Sequence, residues 1–146
     1  MNLSKNVKSI VVLPAQSASQ GTKKGAILDM QGVEGVQFVA VLTSAVDTSV
    51  VKLQVAQSDT NTTGSMVVLT GSVDAPAAVA ANLSGKALIL DLYKPLKRYI
   101  EPQVVIATEN ATVSCIIAIM YESRSKPQDL DDSVLSDLLL ISPEEA

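Results

Sequence analysis

Between Lys86 and Tyr121 the chain runs as three apolar stretches divided by turn-forming residues, and each stretch has the period of a strand. Leu88, Leu90 and Leu92 fall on one side of the first. Val113, Cys115, Ile117, Ile119 and Tyr121 fall on one side of the last. A two-residue alternation sets one row of side chains against a core and the other toward solvent. Glu109, Asn110 and Ala111 divide the second stretch from the third, and Asn110 predicts a turn there because Asn tolerates left-handed backbone. The last stretch is apolar on its other side too, through Ile116, Ala118 and Met120. A strand of that kind needs cover on both faces, so Ile116, Ala118 and Met120 are expected to meet another segment or another chain.

Upstream the same reading finds further strands. Ala26 to Met30 forms a short one, closed by Gln31-Gly32-Val33-Glu34-Gly35, where two glycines suit a tight turn of positive φ. Val36 to Thr43 is nearly continuous apolar sequence, as in a strand buried on both faces. Val51, Leu53 and Val55 point inward from the next strand while Lys52 and Gln54 meet solvent. Residues 58–65 are a loop by composition, and Met66 to Gly71 resumes as a strand. The Ala-rich segment 72–85 holds either a turn of helix or a long loop, with Ala78 to Ala81 favouring helix. Residues 1–25 comprise an apolar run, Ile10 to Leu13, and a polar arm. That arm is either an extended loop or a segment ordered by a neighbour.

The character changes after Arg124. Residues 125–128 read as a linker, and Asp129 to Ile141 has helical spacing: Leu130, Val134, Leu135, Leu138 and Leu139 recur at intervals of three and four, with acids at the N-terminal end. About twelve residues of helix are marginal alone in water. Docking is therefore expected, on the chain's own domain or on a neighbouring subunit. The chain thus divides into an arm (1–25), a β-domain (26–124) and an acidic tail (125–146).

Composition narrows the function. In 146 residues the apolar fraction is 47% but aromatics are 3%, with one Phe and no Trp, so Val, Ile, Leu and Ala must build the core. That suits strands. It disfavours glycan and single-strand nucleic-acid sites, which rely on aromatic platforms. The net charge of -4 is uneven: residues 1–124 carry ten basic and nine acidic groups, a balance of +1, and residues 125–146 carry one Lys and six acids, a balance of -5. No basic stripe draws the chain to nucleic acid. No run approaches the length of a membrane helix, and a reducing cytosol fits the single cysteine.

Chemistry-bearing constellations are few. Histidine is absent, which removes His triads and His metal sites. One thiol, Cys115, cannot build a zinc site or an intrachain disulfide and reads as a small buried hydrophobe. Asp129, Asp131 and Asp132 lack the glycine and closing glutamate of a calcium loop. No cofactor and no catalytic residue is expected, and the chain reads as a non-enzyme. Lys94, Lys97 and Arg98, beside Tyr93 and Tyr99, form either a solvated turn or a contact for an acidic partner.

Three segments together carry a resemblance: Leu28-Asp29-Met30-Gln31-Gly32-Val33-Glu34-Gly35, Leu53-Gln54-Val55-Ala56-Gln57-Ser58-Asp59, and Leu90 through Tyr93 to Lys97-Arg98-Tyr99-Ile100. Over residues 26–121 the chain resembles the small proteins of tailed bacteriophages and prophages encoded beside the major capsid protein. The resemblance implies a capsid cement or decoration protein, a jelly-roll β-sandwich that assembles as a dimer or trimer outside an HK97-like head. It implies the major capsid protein as partner and the virion as location, after assembly in the host cytoplasm. A phage tail or head-completion domain and a host-surface binding module are the competing readings. The arm and the tail depart from the pattern and leave open whether they clasp capsid subunits or sister copies.

Overall fold

A computed structural model describes residues 2–126 and 128–140, and its strands are antiparallel throughout. Met1, Pro127 of the expected linker and residues 141–146, including the end of the expected helix, lie outside the described residues. A single-turn helix α1 (Leu3–Asn6) precedes β1 (Lys8–Leu13), β2 (Ser19–Lys24), β3 (Leu28–Asp29), β4 (Val33–Ala45) and β5 (Val50–Ser58). A 3-10 turn at Thr63–Ser65, β6 (Val67–Val68), β7 (Val73–Asp74), β8 (Ala87–Tyr93) and β9 (Tyr99–Ser123) follow.

β9 organises the molecule. Its first part pairs with β5, from Ser58 opposite Tyr99 to Val50 opposite Ala107, and carries β3 and β2 on its other edge. Its last part pairs with β4, from Ala45 opposite Ala111 to Val33 opposite Ser123, and carries β1 on its other edge. β8 then adds to the far edge of β4. The second and third stretches of the sequence are therefore one strand. No turn forms at Asn110; the left-handed residue is Thr108, at φ 70°. A β-branched residue is strained there, which is tolerated because strands on both edges hold the path.

The two halves of the folded sheet share one core. β4 contributes Val36, Phe38, Ala40 and Leu42, β5 contributes Val51, Leu53 and Val55, and β9 contributes Ile100, Val104, Ile106, Val113, Ile116, Ala118 and Met120. Burial of each large side chain is worth about 1.5–3 kcal/mol, and Phe38 is the only aromatic among them. The inward row of β5 is the one expected. β4 differs from expectation, because Val39 and Val41 turn outward and are only half-buried.

Further expectations are corrected. The polar arm is not a loop: residues 19–24 form β2, whose backbone groups pair with β9 although its side chains lack an apolar pattern. Ala80 to Gly85 make turns rather than helix. Ala80 and Ala81 take positive φ, and the Ala80 N–H donates to Asp47 Oδ1. Residues 129–140 contain no helix; the Ser133 N–H and hydroxyl bond to Asp131 Oδ1, a local turn that competes with a helical first turn. Of the two glycines, Gly32 has positive φ while Gly35 lies within β4.

Candidate functional site

The register of four strands places an apolar surface on the outside of the β8-β4-β9-β1 sheet. Val39 lies opposite Ile89 on one side and Ile117 on the other, and Ile117 lies opposite Val11. These four β-branched residues form one rung across all four strands. Ala87, Val41 and Cys115 form the next rung. Ile89 is 53% exposed and Val11 38%, while Val39, Val41, Cys115 and Ile117 are half-buried by their neighbours alone. On the other side of the long rung, Asp91, Gln37, Ile119 and Ser9 align, and beyond them Tyr93, Gly35 and Tyr121.

The aromatic end is tightly built. The rings of Tyr93 and Tyr121 stack, 6.4 Å apart and 5° from parallel, on either side of Gly35. The Tyr121 hydroxyl donates to Asp91 Oδ1 at 2.5 Å and the Tyr93 hydroxyl donates to Glu122 Oε2 at 3.1 Å. Burial, then the bond to Asp91 and the charges of Asp91 and Glu122, pushes the Tyr121 phenol well above its ordinary value. The apolar rungs are thus bounded at one end by fixed negative charge.

The outside of the other half contrasts with this. Lys52, Gln54, Gln103 and Glu101 occupy it. Glu101 and Gln103 are buried: Thr63 Oγ1 and Gln103 Nε2 donate to the Glu101 carboxylate at 2.6 and 2.8 Å, and Gln54 Nε2 donates to Gln103 Oε1 at 3.0 Å. One outer face is polar and satisfied. The other is apolar and open.

The expected interface residues are dispersed. Ile116, Ala118 and Met120 belong to the chain's own core, so the second apolar side of the last strand is covered from within. A bulge explains the reversal: Cys115 pairs with Val41 but Val113 with Leu42, so Ser114 is the extra residue and the alternation slips by one. The open side is the other one, including Cys115, which is half-exposed instead of buried. Apolar residues on both sides of a strand were the available signal; the slip decided which side faced out.

Lys94, Lys97 and Arg98 do cluster, but each is engaged. Arg98 grips Asp29 through two bonds of 2.8 Å, Lys97 Nζ lies 2.7 Å from Asp59, and Lys94 Nζ lies 5.3 Å from the centre of the Tyr93 ring. The guanidinium, with help from the Gln31 N–H, holds the Asp29 carboxyl below its ordinary value against some desolvation. The three segments quoted above therefore meet through Asp29, Asp59, Lys97 and Arg98. Leu96, at the tip of this loop, is 92% exposed.

The tail runs along α1 and the free edge of β1. The Val11 N–H donates to Ser133 Oγ at 2.9 Å, the Gln128 N–H to the Lys5 carbonyl at 3.2 Å, and Lys5 and Lys8 face Asp137 and Asp131 at 3.4 and 3.8 Å. Leu130, Leu135, Leu138 and Leu139 are exposed and Val134 is half-buried. Among the described residues, no group of His, Cys, Asp and Glu side chains gathers to hold a metal ion, and no helix is long and apolar enough to cross a membrane.

No family model and no curated protein matches the sequence. Solved structures share a likeness of shape. One is dimeric latent PorU from Porphyromonas gingivalis, at a TM-score of 0.45 and 11% identity over 82% of this chain and 13% of that one. A second is the structure of infectious bursal disease virus Gt strain, at 0.47 and 12% over 80% of this chain and 33% of the other. A third is Eiger TNF from S. frugiperda, at 0.40 and 7% over 85% and 98%. The chain spans well under two thirds of the length of the first two. These likenesses are weak and carry no argument about what the chain does.

Proposed function

We propose that this chain is a structural virion protein: a capsid cement or decoration protein of jelly-roll type that binds the outside of an HK97-like phage head and stabilises it by bridging capsid subunits. The observation that carries the reading is the open apolar face formed by Ile89, Val39, Ile117 and Val11, which suits a protein that works by association. The resemblance over residues 26–121 supplies the phage setting, and its motif residues serve to join loops at one end of the molecule. In this reading the partners are the major capsid protein and sister copies, in a dimer or trimer. The role is non-enzymatic, and neither nucleic acid nor membrane takes part. Many weak contacts repeated across a shell give avidity that no one contact needs to supply.

The test is the stoichiometry of the chain in purified particles, by mass spectrometry against the major capsid protein. One copy, or a simple fraction of a copy, per capsid subunit is expected. A handful of copies per particle would make it a tail or head-completion part, and absence from particles would discard the virion role.

A further inference from the structure

The β8-β4-β9-β1 sheet has two edges, and the chain covers one of them. At β1 the Val11 N–H is taken by Ser133 of the tail. At the other edge β8 ends the sheet with no strand beyond it. The Leu42 N–H donates to the Lys86 carbonyl and the Lys94 N–H to the Glu34 carbonyl, and in an antiparallel ladder the backbone groups of alternate residues point the same way. Leu88, Leu90 and Leu92 therefore bond to β4, and the N–H and C=O groups of Ala87, Ile89, Asp91 and Tyr93 point away from it. None of these has a backbone partner among the described residues. Beside this edge Leu90 and Leu92, with Val55, Leu69 and Val73, line a cavity of about 260 Å³ between the two halves of the folded sheet.

We propose that β8 of one copy pairs antiparallel with β8 of a second copy, about a two-fold axis at Ile89, so that two sheets become one. The inference deepens the reading of the chain as an assembling protein by fixing its contact with a sister copy. The edge calls for an extended segment that is apolar on both sides, one side to meet the cavity and the other to continue the outer rungs. β8 is itself such a segment, with Leu88, Leu90 and Leu92 on one side and Ala87 and Ile89 on the other. The described tail cannot serve, since it lies at the β1 edge across the sheet. A two-fold axis normal to the sheet keeps like faces together, so one self-complementary contact satisfies both copies.

Charge and length select the register. Centring on Asp91 sets two carboxylates opposite each other, and centring on Leu90 sets Lys86 opposite Lys94, pairings that destabilise a sheet. Centring on Leu88 leaves Asp91 with no opposite residue in the other β8. With Ile89 on the axis, Ile89 meets its own copy, Ala87 meets Asp91, and Leu88 meets Leu90. Each such pair of outward residues exchanges two backbone bonds, about six across the three pairs.

The experiment is light scattering of the full chain over a range of concentrations, with circular dichroism to confirm folding. Wild type is expected to form dimers. Ile89→Pro removes only an outward N–H, which an edge strand tolerates, and should weaken association at least tenfold; Ile89→Lys, a charge on the edge, replaces it if it unfolds the domain. In a Cys115→Ser background, Ala87→Cys mixed with Asp91→Cys should cross-link on oxidation with diamide, while either alone should not, because the register sets 87 opposite 91 and keeps like positions apart. A wild type monomeric at every concentration, edge variants that associate like wild type, or a mixture that cross-links no better than its components would each overturn the proposal. Particle stoichiometry separates the two readings: a chain monomeric in solution yet present in particles ends the edge pairing and leaves the virion role standing, and a dimer absent from particles does the reverse.

Discussion

The ring of Tyr121 lies against the Cα of Gly35, in the space that a Cβ on residue 35 would fill. Gly35 has no positive φ, so its lack of a side chain serves this close approach. Gly35→Ala should displace the ring and cost about 1–3 kcal/mol, read from denaturant midpoints at unchanged slope. In a Tyr121→Ala background the same change should cost almost nothing, because Ala suits a strand better than Gly. Equal costs in both backgrounds would show that the ring is not the obstacle.

Tyr121 should also limit stability in alkali. Its folded-state pKa lies above the unfolded value, so the protonated phenol stabilises the fold below about pH 10, and that contribution is lost as pH rises beyond it. Ultraviolet titration should show a late-ionising phenol that Tyr121→Phe removes, and Asp91→Asn should make it ionise earlier. An ionisation of Tyr121 unmoved by Asp91→Asn would contradict the assigned bond.

Ile116 and Ile117 are neighbours with opposite duties. Ile116→Ala should cost about 2–5 kcal/mol, since the side chain is fully buried. Ile117→Ala should cost much less and alter association instead. Thermal melts and light scattering on the two variants check this, and similar melts would mean that the inward side of β9 has been misassigned.

Acid should release the tail before it unfolds the body. Burial opposes ionisation of Asp131, but the Ser133 N–H, the Ser133 hydroxyl and Lys8 outweigh it and hold the carboxyl below its ordinary value. A depressed carboxyl stabilises above its unfolded value of about 3.9, and the contribution disappears as pH falls through the folded value. Protection of the Val11 amide, which bonds to Ser133, should therefore fall relative to its intrinsic exchange rate below pH 4 while core amides stay protected. Asp131→Asn should abolish the step.

What was legible in the sequence was whatever depends on local period. The inward row of Val51, Leu53 and Val55, the row of Leu88, Leu90 and Leu92, and the all-β class follow from alternation and β-branched content. The aromatic-poor core and the acidic tail were equally open to reading. A helix over residues 129–141 was expected from spacing alone and none forms over the described residues 129–140, because spacing says where leucines would fall but not what would cover them, and a lone short helix gains too little without cover. Lys97 and Arg98 looked free until folding brought Asp59 and Asp29 beside them from far along the chain.

Tertiary structure alone decided which side of the last strand is inside. One extra residue at Ser114 moves every later side chain to the opposite face, and only the pairing of Val41 with Cys115 and Leu42 with Val113 reveals it. It also joined two expected strands into one and drew the polar residues 19–24 into the sheet. The physical reason is that backbone pairing recruits any extended segment whose hydrogen bonds a neighbour can satisfy, whereas side-chain pattern reports only burial. The sequence could therefore announce an apolar surface in excess of the core, and only the register could say that Ile89, Val39, Ile117 and Val11 carry it.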